Sequence, residues 1–355
     1  MKILVNHELF PPYTAGGGEI YCETVVKELI KRGIDVTVVA GAWEKNKFEE
    51  WDGIPVYRID LFPTRYSFNI KNYFALKKAV KEVKPDIIHA YTYHSAIPAN
   101  LISRLYDKPI VLTVLSLYLE EWFNYFNPIY SSFFYLFERS ILSLPYDKII
   151  AIDYGGYCNL KRIGLKEKAV LIHTPINTKI FKPKREQHTK PVIGTIAANL
   201  SRSPKGMNKF ISLIKQIRNR YDVEILVAGK HNEKLRKKFS KLGINIIPFV
   251  PHEKVAEYLN KIDIFVGQGM AAREAMACGC ITILDDPITL FSRYHKPEID
   301  AGFMLTGDHF KLIESILENQ KYFKKNARRA LGFIDNNFSV NAVISKIIKV
   351  YNNVL

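Results

Sequence analysis

Short apolar runs alternate along this chain with longer stretches in which apolar residues recur every three or four positions. That is the pattern of buried strands followed by amphipathic helices. Lys2-Ile3-Leu4-Val5-Asn6 opens the series, and a loop rich in Pro and Gly follows. Ile20, Val25, Val26, Leu29 and Ile30 then share one face of a helix predicted from Gly18 to Arg32, which Gly33 closes. Val36–Ala40, Ile54–Ile59, Asp86–Tyr91, Pro109–Val114 and Lys148–Ile152 read as further strands, with helical stretches at Tyr73–Val83 and Ala96–Leu105. The alternation predicts an α/β fold of parallel strands joined by right-handed crossovers, with helices on both faces.

Thr174–Pro191 breaks the pattern with a polar, basic stretch holding Pro175, Pro183 and Pro191, which suits an inter-domain connection. Val192–Ala197 restarts it. A helix over Gly206–Arg220 and strands over Val223–Ala228, Ile244–Phe249 and Ile262–Val266 follow. After the turn Gly267-Gln268-Gly269, the run from Arg273 to Cys280 reads as a short helix opened by small residues and closed by Gly279, ahead of strand Ile281–Leu284. Val340, Val343, Ile344, Ile347 and Ile348 have the spacing of an amphipathic C-terminal helix. Two doubly wound domains are expected, spanning 1–183 and 184–337, with a final helix over 338–355. Such sheets bind ligands at the carboxyl ends of their strands, so the two domains are expected to face a cleft.

Composition narrows the partners. A chain of 355 residues that is 48% hydrophobic and 24% charged is long enough for two globular domains and excludes a disordered class. The formal net charge of +16 favours acidic partners such as phosphate-bearing ligands or anionic lipid. The lysines are scattered and no nucleic-acid-binding module is visible, so nucleic acid is not an expected partner. Cys22, Cys158, Cys278 and Cys280 lack zinc-ligand or redox spacing, no metal cluster is evident, and no secretory signal or membrane-spanning run is present. A cytoplasmic location is therefore expected.

A strand, a glycine turn and a helix N-terminus make an anion site, because free backbone N–H groups converge there. Gly269 and Met270 supply such groups, and Glu274, read as lying in the first helical turn, can accept hydrogen bonds from a ribose. The alternative is an ordinary βαβ unit with a solvated glutamate. Neither Gly16-Gly17-Gly18 nor Gly267-Gln268-Gly269 extends to G-x-G-x-x-G, which disfavours a dehydrogenase. His89 lies in an apolar strand and reads as a core residue, whereas His94 follows that strand on the ligand side.

Five segments, in order, resemble glycosyltransferase family 4, retaining enzymes with two Rossmann-like domains in the GT-B fold. They are Pro12–Glu19 leading to Leu29–Val38, Pro85–Ala90, Ile172–Pro183, Lys205-Gly206, and Glu274-Ala275-Met276-Ala277-Cys278-Gly279. The resemblance implies a nucleotide-diphosphate sugar donor, a glycan or lipid-linked acceptor, no cofactor and no metal. It implies a donor site formed by Gly16, Gly17, Gly18, Arg202, Lys205, Gly269, Met270 and Glu274. The first domain would be the acceptor side, the second would bind the nucleotide sugar, and the C-terminal helix would cross back to the first. The chain also departs from the family. The first of two paired glutamates falls at Val266, the usual Arg after the first strand of the second domain has Arg202 as its nearest candidate, and Leu115 stands where a histidine is usual. His94 is then the imidazole expected to contact the sugar or acceptor. A non-catalytic nucleotide-sugar- or glycan-binding protein of the same fold is the alternative. An epimerase or phosphorylase is disfavoured because neither family's motifs are visible.

The segment 118–137 combines Tyr118, Trp122, Phe123, Tyr125, Phe126, Tyr130, Phe133, Phe134, Tyr135 and Phe137. Aromatics at this density suit a membrane interface, where ring and polar edge are both satisfied. Peripheral contact at the inner membrane face is the expectation. An acceptor-site wall or aromatic subcore is the alternative, since Glu120, Glu121 and Glu138 oppose anionic lipid.

Overall fold

The computed structural model describes residues 1–13, 17–42, 47–60, 68–115, 117, 119, 127–184, 188–284, 304–305 and 308–355. They form two compact units, one of residues 1–175 with 340–355 and one of 176–339.

The first unit holds an eight-stranded sheet: β1 (Lys2–Leu9), β2 (Asp35–Ala42), β3 (Lys47–Trp51), β4 (Ile54–Asp60), β5 (Ile87–Tyr91), β6 (Ile110–Val114), β7 (Lys148–Ala151) and β8 (Ala169–Leu171). Their order across the sheet is β3-β4-β2-β1-β5-β6-β7-β8. All pairings are parallel except β3 with β4. Helices α1 (Gly17–Lys31), α2 (Phe68–Val83), α3 (Thr92–Leu105), α4 (Pro128–Leu142) and α5 (Tyr154–Arg162) accompany it. The central strands are buried on both sides, which is why Ile3-Leu4-Val5 and Ile87-Ile88 read as unbroken apolar runs.

The antiparallel edge strand β3 is absent from the sequence reading because Lys47-Phe48-Glu49-Glu50 shows no buried face. A turn signal was available. Asp52-Gly53 joins β3 to β4 with φ of 49° and 76°, the two positive angles of a type I′ hairpin.

The second unit holds β9 (Val192–Asn199), β10 (Glu224–Lys230), β11 (Ile246–Ile247), β12 (Ile264–Gly267), β13 (Ile281–Leu284) and β14 (Met304–Leu305), in the order β11-β10-β9-β12-β13-β14. Its helices are α6 (Pro204–Arg218), α7 (Glu233–Ser240), α8 (His252–Leu259), α9 (Gly269–Ala277), α10 (His309–Glu318) and α11 (Gln320–Asn337). The strand expected over 244–249 is reduced to the two residues of β11. Pro248 has no N–H with which to extend the ladder.

Residues 176–183, assigned to the first domain on the sequence, pack in the second unit. Ile176 and Phe181 are buried in its core, the Ile176 N–H donates to the Phe338 carbonyl (2.7 Å), and Asn260 donates to the Lys182 carbonyl (3.1 Å). Phe338, assigned to the C-terminal helix, also lies in that core. Burial of these apolar side chains sets the boundaries where the prolines alone did not.

The final helix, α12 (Val340–Val354), belongs to the first unit. Val343, Ile344, Ile347, Val350 and Tyr351 are buried with Val25, Val26 and Leu29 of α1. Beneath them the Tyr351 hydroxyl meets His89 Nδ1 (2.6 Å), while His89 Nε2 meets Thr113 Oγ1 (2.8 Å). Both ring nitrogens are thus engaged. Burial drives the His89 pKa down to about 3, so the ring is neutral.

Candidate functional site

In each sheet the strand order reverses direction at one point, between β1 and β5 in the first and between β9 and β12 in the second. Loops leaving the carboxyl ends of such strands diverge to opposite faces and open a crevice. The sequence-predicted residues fall in these places. Gly17, Gly18 and His94 follow β1 and β5, while Arg202, Lys205, Gly269, Met270 and Glu274 follow β9 and β12.

In the second unit, β9 ends at Asn199, whose side chain accepts from the Ser201 N–H (3.0 Å) and tightens the chain into a short turn over Leu200–Arg202. The side chain of Arg202 lies outside the described residues. Pro204 takes the first helical position of α6, where its missing N–H costs nothing. Lys205 follows it, exposed, in a first turn that carries no acid. A cation there is disfavoured by the helix macrodipole, and an anion is drawn by both.

Helix α9 repeats this polarity. Its cap residue, Gln268, makes no side-chain capping bond, its first turn has no acid, and Gly269 turns the chain into it at φ +66°. The N–H groups of Gly269 and Met270 therefore begin the helix without a side-chain acceptor from the cap.

Glu274 requires a correction. The helix begins at Gly269, not near Arg273, so Glu274 lies in the second turn. Ala271 and Ala272 are strong helix formers and extend the helix toward the turn. Glu274 is 5% exposed, and its carboxylate meets His252 Nε2 at 2.7 Å. The imidazole, at the start of α8, packs against Phe181 with ring centroids 5.3 Å apart. This hydrogen bond raises the His252 pKa above its ordinary value, against the opposing effect of partial burial. Sequence reasoning missed His252 because nothing local links positions 22 residues apart. Val266, where the first paired glutamate would fall, is a buried residue of β12.

In the first unit, Gly16 lies outside the described residues. Gly17 begins α1 with open space around it. Gly18 is different: a Cβ there would meet Leu115 Cδ1 at 2.6 Å and lie 3.8 Å from His7 Nε2. His94 occupies the first turn of α3, half-buried. The loop leading to α1 is held from beneath by Arg58, which donates to the carbonyls of Phe10 (2.8 Å) and Pro11 and pairs with Glu49 (2.7 Å). Its guanidinium also lies 5.3 Å from the centre of the Tyr13 ring.

Two α/β units with Rossmann-type strand order, each presenting loops and helix N-termini at its switch point, define the GT-B class of fold. The family Glycosyltransferase Family 4 matches residues 15–180, and Glycosyl transferases group 1 matches residues 177–330. The chain belongs to the family 4, group 1 glycosyltransferases. It is 23% identical over 305 residues to a Bacillus subtilis (strain 168) protein named for teichuronic acid biosynthesis, the glycosyltransferase TuaC, covering 75% of this chain and 74% of that one. Among solved structures it is similar to sucrose-phosphate synthase from Thermosynechococcus elongatus, with a TM-score of 0.78 at 18% identity and coverage of 99% and 98% of the two chains. It is also similar to Anabaena HepE in complex with UDP-glucose, with a TM-score of 0.71 at 16% identity and coverage of 99% and 100%.

Proposed function

We propose that this glycosyltransferase is a retaining enzyme that moves a sugar from a nucleotide-diphosphate sugar to a glycan or lipid-linked acceptor. The observation that carries the reading is the second unit's switch point. There two helices, α6 and α9, begin on adjacent strands without an acid in either first turn, and one of them adds Lys205. That arrangement suits a diphosphate. The Anabaena HepE complexes, with UDP and with UDP-glucose, support the same ligand class. In this reading Glu274, oriented by His252, takes the ribose hydroxyls, and Gly269 and Met270 offer N–H groups to phosphate. Arg202 and Gly16 enter it on the sequence resemblance alone.

Charge that develops on the departing diphosphate is stabilised by these donors, the largest contribution expected in such a transfer. The acceptor hydroxyl loses its proton toward the leaving group, and His94 is assigned to contact the transferred sugar or the acceptor. Lys205→Ala is expected to weaken binding of the preferred nucleotide sugar by about 1.5–3 kcal/mol, the range for a hydrogen bond to a charged group. Calorimetry against a panel of nucleotide sugars measures it. Equal affinity of variant and wild type removes Lys205 from the site, and binding of no nucleotide sugar by the wild type removes the donor class.

Helix α4 favours a lipid-linked acceptor. Ile129, Phe133, Leu136 and Phe137 form one exposed stripe, with Ile129 81% and Phe133 62% accessible. Glu138 does not oppose lipid. It is buried and turned inward, accepting from the Tyr93 hydroxyl and the Leu119 N–H, so Arg139 is the charge this helix exposes. Tyr118, Trp122, Phe123, Tyr125 and Phe126, with Glu120 and Glu121, lie outside the described residues. Among the described residues no helix is long and apolar enough to cross a membrane. We infer peripheral docking of α4 on an anionic bilayer at the inner membrane face, reinforced by the net positive charge. In co-sedimentation with anionic vesicles, Phe133→Ser/Phe137→Ser is expected to shift the protein to the supernatant. Equal pelleting of the two proteins overturns the inference.

A further inference from the structure

We propose that His7 is a sugar-binding residue, whose Nε2–H donates to a hydroxyl oxygen of the donor's sugar at the N-terminus of α1. The inference rests on the nucleotide-sugar reading above and adds a residue to it from the first unit alone.

His7 sits at the carboxyl end of β1, beside the switch point, and is 2% exposed. The backbone N–H of Leu9 donates to its Nδ1 at 3.2 Å. A nitrogen that receives a hydrogen bond carries no proton, so in the neutral ring the proton is on Nε2. Burial lowers the His7 pKa to about 4, and the ring is neutral near pH 7. Its tautomer is therefore set by the fold, and Nε2–H is a donor in a fixed direction.

Among the described residues that donor has no partner, although its atom is buried. A buried donor left unsatisfied costs about 1–3 kcal/mol, so such atoms call for an explanation. Nε2 lies 3.8 Å from where a Cβ of Gly18 would stand, at the second residue of the 15-residue helix α1. It thus lies beside the helix end whose own N–H groups are also donors. Donors from two directions require an acceptor oxygen between them. Leu115 Cδ1 occupies the same place, 2.6 Å from that Cβ position, and it is the end of a flexible side chain that can turn aside.

The acceptor is a neutral hydroxyl and not a phosphate. Glu19 already stands, buried, in the first turn of α1, where its charge answers the helix dipole and repels a second anion. Among the described residues, Tyr91 Oη on the same face of the sheet is likewise buried without a partner. Tyr91 packs against the His7 ring with centroids 5.7 Å apart. These two neutral groups, an imidazole N–H and a phenol hydroxyl, suit a polyhydroxyl ligand.

The test compares wild type, His7→Phe and His7→Gln by calorimetry, using the panel's preferred nucleotide sugar and its nucleoside diphosphate. Phe keeps the ring and loses the donor, while Gln keeps an amide donor near the Nε2 position. The Phe variant is expected to bind the nucleotide sugar about 3- to 10-fold more weakly, the equivalent of one neutral hydrogen bond. It should bind the diphosphate as wild type does, and the Gln variant should recover most of the loss. Equal affinity for the nucleotide sugar, or equal losses for both ligands, overturns the proposal. Should the Phe variant not fold, 15N-histidine spectra of the wild type decide. The His7 Nε2 resonance is expected to move with the nucleotide sugar and not with the diphosphate, and an unmoved resonance overturns the assignment. Nucleotide-sugar binding that is intact but indifferent to His7 defeats this proposal alone, whereas its complete absence in the wild type defeats the donor reading beneath it.

Discussion

Deleting residues 340–355 is expected to abolish cooperative folding of the first unit. The deletion strips Val343, Ile344, Ile347, Val350 and Tyr351 from a core they share with α1 and the sheet. Each buried side chain of this size contributes about 1.5–3 kcal/mol, so their sum reaches the whole stability of an ordinary domain, about 5–15 kcal/mol. The loss has a polar component too. Without Tyr351, His89 Nδ1 has no hydroxyl to meet, in a site whose burial already holds the ring neutral. Amide hydrogen exchange reports on the units separately. Strands β1 and β5 are expected to lose protection while β9 and β12 retain it. Unchanged protection in β1 and β5 would show α12 to be dispensable.

Arg58→Ala is expected to cost about 3–5 kcal/mol, the range for breaking a buried ionic network by removing one partner. Arg58 is 2% exposed, and its guanidinium is divided between Glu49 and two backbone carbonyls. Alanine takes the buried Arg58 donors from the Pro11 carbonyl and from the Phe10 carbonyl, which keeps only the Tyr13 N–H (3.2 Å), and it frees β3 from the loop that leads to α1. Lysine keeps the charge but cannot serve three acceptors with a rigid fork, so Arg58→Lys should fall between alanine and wild type. Urea denaturation followed through Trp51, on β3, measures the change. A loss within about 0.5 kcal/mol, the range of ordinary surface substitutions, would refute the structural role. Because this loop precedes Gly17 and Gly18, the variant should also disturb the setting of His7.

Local patterning carried most of the architecture. The alternation of apolar runs with helical periodicity was enough to place β1, β2, β4 to β7, α1 and α12, since burial of both strand faces or of one helical stripe leaves its mark on consecutive residues. It also placed His89 in the core. Capping and turn residues carried part of the boundaries, and would have carried β3 had Asp52-Gly53 been weighed as a hairpin turn. The start of α9 was missed because Gly269 and Ala271-Ala272 mark a helix end less sharply than a polar cap does.

Other features depend on which strands become neighbours and on how deep a side chain is buried. Glu274 meets His252 only because α8 and α9 pack together, and residues 176–183 join the second unit only because Ile176 and Phe181 find its core. Glu138 reads as a surface charge in an aromatic segment, yet it is buried beneath α4. His7 is the clearest case. In the sequence it is one polar residue after an apolar strand. The bond from Leu9 sets its tautomer, the packing of Gly18 and Leu115 sets its surroundings, and the strand order puts it at a switch point. Periodicity reports which face of an element is buried. It says nothing about which side chain from a distant element arrives there, because that depends on the geometry of the whole sheet.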